Sequence, residues 1–329
     1  MGEVWAMKVL VTGGAGFIGA RLVQALCNAG HQVRMLSRKP PQTLPGGDAS
    51  IELLQCDLLD ASYDLEQLVD GCAVVFNCAG ELHDQALMEA LHVDATRRLV
   101  QACKAVAKTS GQQVHWVQLS SVGAYGPVTH KPNTPRIVTE ETVTAPANQY
   151  ELTKTRADEL ISAAAEQGVF SYTLLRPSNV YGPGMPNNAI RQWARLIKKR
   201  LFFYVGSADA VATYVHVDDV VSCLLICGFD PRARGEVFNL SNDCAQTELV
   251  TAMARALKVA PPSVRLPESV VRRVAFLFSG IKSFPVKPSR IDALVARTYY
   301  PTHKLKRVLD YQPEKPVGNT IADVLDERL

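Results

Sequence analysis

The chain has 329 residues, of which 47% are hydrophobic and 20% charged, enough apolar material for one large α/β unit with a smaller lobe and too much for extensive disorder. Lys and Arg number 35 against 32 Asp and Glu, a formal charge of +3, too even a balance to argue for a nucleic-acid partner. The eight cysteines are scattered without a C-x-x-C pair, which fits buried free thiols in a reducing cytoplasm and offers no metal site. No basic leader with an apolar run and cleavage site opens the chain, and no apolar stretch reaches the roughly 18 residues of a membrane span.

In chain order, short β-branched runs alternate with longer helical patterns up to residue 176. Strands are predicted at 8–12, 33–37, 51–56, 73–78, 114–120 and 171–176. Ile18, Leu22 and Leu26 fall at helical spacing after the first strand, with Gly30 as a stop. Further helices are predicted over 87–107 and 149–167, the second ending at Gly168, with Leu152, Leu160, Ile161 and Ala164 as its buried stripe. Such alternation implies a doubly wound α/β fold, a parallel sheet with helices on both faces. Nearly continuous apolar strands such as "AVVFNC" fit a sheet with no wet side.

Beyond Arg176, proline and glycine become frequent, as in "RPSNVYGPGMPNN" and "APPSVRLPES", which suits a smaller lobe of loops and short helices. "GEVFNLSND" is expected to return one strand to the sheet. The run "VVRRVAFLFSGIKSF" at 270–284 comes nearest to a membrane segment, but its two arginines and short length make it a core or surface helix.

"VLVTGGAGFIGARLV" sets Gly13, Gly16 and Gly19 directly between a strand and a helix. Glycine allows a tight turn there and lets backbone N–H groups approach a pyrophosphate at the positive end of the helix. After the second strand comes "VRMLSRKP", with Ser37, Arg38 and Lys39 and no acid. A carboxylate at this place would bind the adenosine ribose of NAD, whereas a guanidinium can hold a 2′-phosphate. NADP is therefore expected in preference to NAD, with Arg38 covering the adenine as the alternative. Asp57, in "LLQCDLLD", is a candidate for the adenine amino group or an ordinary cap.

Tyrosine followed by lysine four places on occurs three times: Tyr150 and Lys154, Tyr300 and Lys304, Tyr311 and Lys315. Pro301 and Pro313 interrupt the last two, so those pairs should not share a helix face. The first lies in the proline-free "YELTKTRADELISAAAEQG", where Tyr150 and Lys154 stack one turn apart. A phenol titrates near 10, and bringing it to 7 requires about 4 kcal/mol of phenolate stabilisation. A neighbouring ammonium and an oxidised nicotinamide are expected to supply it. "QLSSVGAYG" delivers Ser120 and Ser121 to the ligand-binding edge of the sheet, while the G-x-S-x-G elbow of nucleophilic serine chemistry is missing.

Together these segments resemble the extended short-chain dehydrogenase/reductase family, often labelled NAD-dependent epimerase/dehydratase, over nearly the whole chain. "TGGAGFIG" is similar to its cofactor turn, "CDLLD" to its adenine segment, "FNCAG" to its fourth-strand motif, "SSVGAYG" to its serine segment and "YELTK" to its Tyr/Lys pair. "RPSNVYGPG" and "YVHVDDVV" resemble two later landmarks. The resemblance implies hydride transfer between a carbinol or ketone carbon and nicotinamide. It selects Ser121 rather than Ser120, giving Ser121, Tyr150 and Lys154 as catalytic residues. It places Phe17, Ile18, Leu58, Cys78 and Ala79 along the cofactor, with Pro177, Ser178 and Val180 near its carboxamide and Lys154 also on its ribose. Ser121, Asn179 and Arg297 are the implied substrate contacts, and a homodimer is implied. The implied division is a Rossmann domain at 1–176, completed by about 211–242, and a substrate lobe at about 177–210 and 243–329.

Departures bear on the substrate. Related dehydratases carry Asp-Glu after the serine, where Val122 and Gly123 stand here, so dehydration is not expected. Related sugar-nucleotide epimerases carry an arginine before the "YVHVDD" segment, where this chain has Ala212 and Thr213. Arg191, Arg195, Lys198, Lys199 or Arg297 would have to substitute. His92 stands where the family often has Asn, which leaves a proton relay there open. The leading expectation is a C4 epimerase or 4-keto reductase of a nucleotide-linked sugar. A 3β-hydroxysteroid- or dihydroflavonol-type enzyme comes second, and a non-catalytic dinucleotide-binding scaffold or redox sensor third.

Overall fold

A computed structural model describes residues 6–39, 50–127, 134–166, 168, 170–186, 188–277 and 288–325. Its centre is a seven-stranded, wholly parallel sheet. The strands are β1 (Lys8–Thr12), β2 (Gln32–Ser37), β3 (Ile51–Gln55), β4 (Val74–Asn77), β5 (Val114–Leu119), β6 (Phe170–Pro177) and β7 (Glu236–Leu240). Their order is β7-β6-β5-β4-β1-β2-β3. Chain order reverses beside β1, and the crevice at such a reversal is where open α/β sheets bind ligands.

Alternation along β1 explains the two layers. Val9 and Val11 point to one face, against Leu22 and Leu26 of α1 (Phe17–Asn28) and Val220 and Leu224 of α4 (Val217–Phe229). Leu10 points to the other, with Leu99 and Cys103 of α2 (Ala95–Ser110) and Ile161 of α3 (Gln149–Ala165). Successive strand residues face opposite sides, so an unbroken apolar strand needs helices on both, and the expected doubly wound fold follows.

Two helices differ from their expected form. The helix expected over 87–107 is three pieces, Gln85–Glu89, a π-helical segment Ala90–Asp94 and then α2. The widened turn carries His92, whose ring is held by bonds described below. In α3 Leu152 is 40% exposed rather than buried. The buried side of its first turns is polar, Thr153, Lys154 and Asp158, because it lies over the C-terminal edge of the sheet. Only Ile161, with Leu160 and Ala164 partly buried beside it, reaches the apolar cluster.

Outside the sheet, strand pairs of two or three residues tie distant segments together. Arg136–Ile137 pairs with Thr298–Tyr299, Asn179–Tyr181 with Tyr214–His216, Tyr204–Val205 with Arg265–Leu266, and Val211–Ala212 with Cys244–Ala245. Tyr300 precedes the helix His303–Leu309 and Tyr311 follows it, so neither shares it with its lysine. α5 (Glu268–Leu277) buries Val271 and Ala275 and leaves Phe276 and Leu277 exposed; the rest of the 270–284 run lies outside the described residues. Among the described residues no helix is long and apolar enough to cross a membrane.

Candidate active site

The site is assembled at the C-terminal ends of β1, β4, β5 and β6. Leaving β1, the chain turns at Gly13 (φ +65°), whose carbonyl accepts the Gly16 N–H at 2.9 Å. A Cβ on Gly19 would stand 2.1 Å from the same carbonyl, so α1 can begin this close to the turn only with glycine there. The N-terminus of α1 has no side-chain cap and no acid in its first turn, leaving its N–H groups and positive end without a carboxylate. Phe17 and Ile18 open that helix. Thr12 Oγ1 donates to Asn77 Oδ1 at 2.6 Å and accepts from Ala79 N–H at 3.1 Å, which ties the end of β1 to Cys78 and Ala79.

The other expected cofactor residues are spread along the same edge. Ser37 ends β2, with its hydroxyl on the Lys39 carbonyl, and Arg38 beyond it is exposed. Asp57 Oδ1 accepts the Leu59 N–H at 3.0 Å, a local turn bond, and Leu58 is buried. Pro177 ends β6, and Val180 lies in the pair with Tyr214–His216.

Asn148 begins α3, its side chain accepting the Glu151 N–H at 3.0 Å. The helix brings Tyr150 over the end of β5, where Ser121 follows the strand. Ser121 Oγ accepts the Gly123 N–H at 3.0 Å, and Ser121 lines the same cavity as Tyr150. Ser120, by contrast, is buried and donates to Asp158 Oδ2 at 2.7 Å. Lys154 is buried, its ammonium on the Leu119 carbonyl. Burial lowers its pKa, opposed by the charges of Asp158 and Cys78.

The phenol is not acidic in this arrangement. Burial pushes Tyr150 up to about 12; Ser121 counters, and the charges of Asp158 and Glu151 add to the rise. The expected lowering by Lys154 is therefore corrected. The ammonium is committed to a backbone carbonyl and faces the carboxylate of Asp158, so desolvation of the phenol dominates.

His92 is a locked neutral ring. The Glu81 N–H donates to Nε2 at 2.9 Å, so the ring proton sits on Nδ1, 2.8 Å from Thr153 Oγ1, which passes its own proton to the Gln149 carbonyl at 2.9 Å. Burial, with the charge of Lys154, takes its pKa down to about 3. The ring meets Tyr150 edge-on at 5.7 Å between centroids. Both nitrogens are occupied at neutral pH, which suits holding α3 in place rather than relaying protons.

A cavity of about 880 Å³ opens over these groups, lined among others by Ser121, Tyr150, Ser178, Asn179 and Arg297. Of the cations expected to substitute for a diphosphate arginine, Arg297 alone lines it; Arg191, Arg195 and Lys198 lie on the helix Ala189–Lys198 and Lys199 at its end. Among the described residues three arginines line the cavity, and two are engaged by carboxylates: Arg297 with Asp209 at 2.8 Å, and Arg272 with Glu268 and Asp292 at 2.7 Å each. The third, Arg136, donates to the carbonyls of Tyr125 and Gly126 at 2.7 and 2.8 Å, keeping its charge available to an anion. No sequence signal marked Arg136; it sits in a two-residue strand whose partner is 162 positions away, Arg136 opposite Thr298. Asp158 and Arg176, buried beneath Lys154, were also missed as site residues. Among the described residues no group of three or more His, Cys, Asp or Glu is arranged to hold a metal ion.

A profile of the NAD dependent epimerase/dehydratase family matches residues 9–241. The chain belongs to that family. Several enzymes are similar to this chain over most of their length. Short-chain dehydrogenase/reductase family 42E member 1 of Danio rerio is 25% identical over 93% of this chain and 84% of its own. Sterol-4-alpha-carboxylate 3-dehydrogenase, decarboxylating, of Saccharomyces cerevisiae is 24% identical over 96% and 97%. UDP-glucose 4-epimerase of Vibrio cholerae is 26% identical over 79% and 78%. Among solved structures, MoeE5 in complex with UDP-glucuronic acid and NAD superposes with a TM-score of 0.73 at 25% identity, covering 97% of this chain and 98% of the other. This family member is an enzyme with an NAD-type dinucleotide; the comparisons lend no support to the expected preference for NADP.

Proposed function

We propose that this family member interconverts a carbinol and a ketone at C4 of a nucleotide-linked sugar, as a C4 epimerase or 4-keto reductase, with Ser121, Tyr150 and Lys154 as its catalytic residues. The observation that carries this reading is the set of polar and charged groups in the cavity wall around Ser121 and Tyr150, among them Asn179, Thr213, Arg136 and Arg297. An apolar ring system would take water from these charged and polar groups without offering them a hydrogen bond in return, at a cost in desolvation. MoeE5, with a UDP-sugar and NAD bound, supports the same class. In this reading Arg136 and Arg297 meet the anionic part of the substrate and Asn179 a sugar hydroxyl.

The glycine turn and the uncapped start of α1 fit a pyrophosphate, and the edge from Cys78 and Ala79 to Pro177 and Val180 fits a nicotinamide. When bound, the nicotinamide supplies the hydride acceptor or donor. Ser121 orients the reacting oxygen, with the Gly123 N–H fixing the serine rotamer. Tyr150, protonated at neutral pH, donates to that oxygen during reduction. For oxidation the same phenol must act as phenolate, and from a pKa of about 12 this costs about 7 kcal/mol at pH 7. In this reading the positive charge of the oxidised dinucleotide offsets it. Incubation with NAD or NADP and a panel of UDP-, GDP- and dTDP-sugars, sterols and flavonoids tests the class. Turnover of a sugar nucleotide is expected; turnover of sterols alone would overturn it.

A second reading, a 3β-hydroxysteroid- or dihydroflavonol-type enzyme, draws on the full-length similarity to the yeast sterol dehydrogenase. It also draws on α5, which sets Glu268 and Arg272 in the cavity wall and leaves Val270, Val274, Phe276 and Leu277 exposed. The finer choice of NADP rests on Arg38 alone, and a lower dissociation constant for NADH than for NADPH would reject it. The working unit is read as a cytoplasmic homodimer, with the cofactor on 1–176 and about 211–242 and the substrate on the remainder; sedimentation measures the first part.

A further inference from the structure

Tyr150, Lys154 and Asp158 follow one another at four-residue steps and share one face of α3. The third is a carboxylate sealed from solvent, 2% exposed. Its Oδ2 takes every bond it has: Ser120 Oγ at 2.7 Å and Arg176 Nε and Nη2 at 3.1 and 3.0 Å. Its Oδ1 is buried and receives no hydrogen bond. A carboxylate serving only to neutralise an arginine is commonly gripped through both oxygens, and a bare buried carboxylate oxygen is costly. Arg176 in turn lies over the Tyr125 ring at 5.0 Å, and Tyr125 donates to Asn239 at 2.8 Å, so the guanidinium is held from behind.

We propose that Asp158 is a positioning residue for the Tyr150–Lys154 pair, its buried carboxylate serving as the counter-charge that keeps the Lys154 ammonium protonated on the Leu119 carbonyl beneath the phenol. The proposal rests on the reading of Tyr150 and Lys154 as the proton-transfer pair. Other groups face the same cluster: Arg176 from β6, Ser120 from the end of β5, Cys78 from β4, His92 from the π-helical segment, Tyr125 from the turn after Ser121, and Glu151 on α3 itself. Among these the charge of Asp158 is the largest force raising the Lys154 pKa against burial, and it raises Tyr150 as well. Removing it should therefore let both groups lose their protons at lower pH.

The test uses the full chain labelled with 13Cε-lysine and 13Cζ-tyrosine, the two signals assigned with Lys154→Met and Tyr150→Phe, and followed by NMR against pH. In Asp158→Asn both midpoints are expected to move down. That variant leaves Arg176 buried without a partner, so Asp158→Asn/Arg176→Met provides a second background without the pair; its thermal stability should recover towards wild type while both midpoints stay displaced. Midpoints at their wild-type positions in either variant, with only stability lost, would reduce Asp158 to a structural ion pair and overturn the proposal. The titrations need no turnover. Displaced midpoints in the variants, with the wild-type protein inactive on every substrate, would defeat the catalytic reading and leave the counter-charge standing.

Discussion

The sheet and the short strand pairs outside it are built by different rules. In the sheet, the central strands bury side chains on both faces while the edge strand β3 stays partly exposed, and the strand partners follow from alternating elements and short connections. In the lobe, order depends on strand pairs of two or three residues that join distant parts of the chain, such as Arg136–Ile137 with Thr298–Tyr299. In the proposed reading, dinucleotide chemistry is thus written into a few consecutive residues, while substrate choice is distributed over loops brought together from far apart. The first should tolerate little local change. The second should accept substitution with modest cost to stability and larger consequences for specificity.

The sharpest test separates chemistry from both halves. Tyr150→Phe keeps the ring against His92 and is expected to lower turnover by about 10²–10⁴-fold, with dinucleotide affinity by calorimetry unchanged. A matching loss of affinity would place the phenol in the cofactor half instead. Next in size is Gly19→Ala, whose added methyl would meet the Gly13 carbonyl at 2.1 Å. Overpacking there should cost about 1–3 kcal/mol in denaturant unfolding and weaken dinucleotide binding. Equal binding by the variant would dissociate the turn from the cofactor.

Acid should strike the sheet half. Burial holds His92 down to about 3 and His115 down to about 4. Both rings stay neutral in the fold and take up protons on unfolding, so their contribution is complete above about 6.5 and is lost as pH falls towards those values. Between pH 7 and 5 each should cost about 2 kcal/mol, and His92→Gln should flatten that slope in thermal melts. The smallest effect is expected in the lobe: Arg297→Gln breaks the partly exposed pair with Asp209 and should change stability by about 0–1 kcal/mol while raising the KM for substrate. A raised dissociation constant for the dinucleotide instead would blur the division between the halves.

Much of the sheet half was legible because local physics dictates it. Nearly continuous apolar runs of strand length, a glycine turn between strand and helix, and a proline-free Tyr/Lys spacing each act within a few residues. The exceptions are positions where local pattern met a distant neighbour. Leu152 looked like core by spacing, yet that face of α3 points to solvent because the polar edge of the sheet claims the other. The helix before α2 read as continuous, yet it widens where His92 bonds Thr153 and Glu81. In the lobe, Arg136 could not be singled out at all.

Sequence by itself determined the doubly wound sheet, the glycine turn between its first strand and helix and which of three Tyr/Lys pairs shares a helix, because apolar patterning, glycine's missing Cβ and proline's missing N–H act locally. Tertiary structure alone decided the protonation of the site and the composition of its cavity. Burial drives Tyr150 upwards, Lys154 is shared between a carbonyl and the charge of Asp158, and arginines from three separate segments line one cavity. Charge energies depend on what surrounds a group in space, and that is fixed only when remote segments meet.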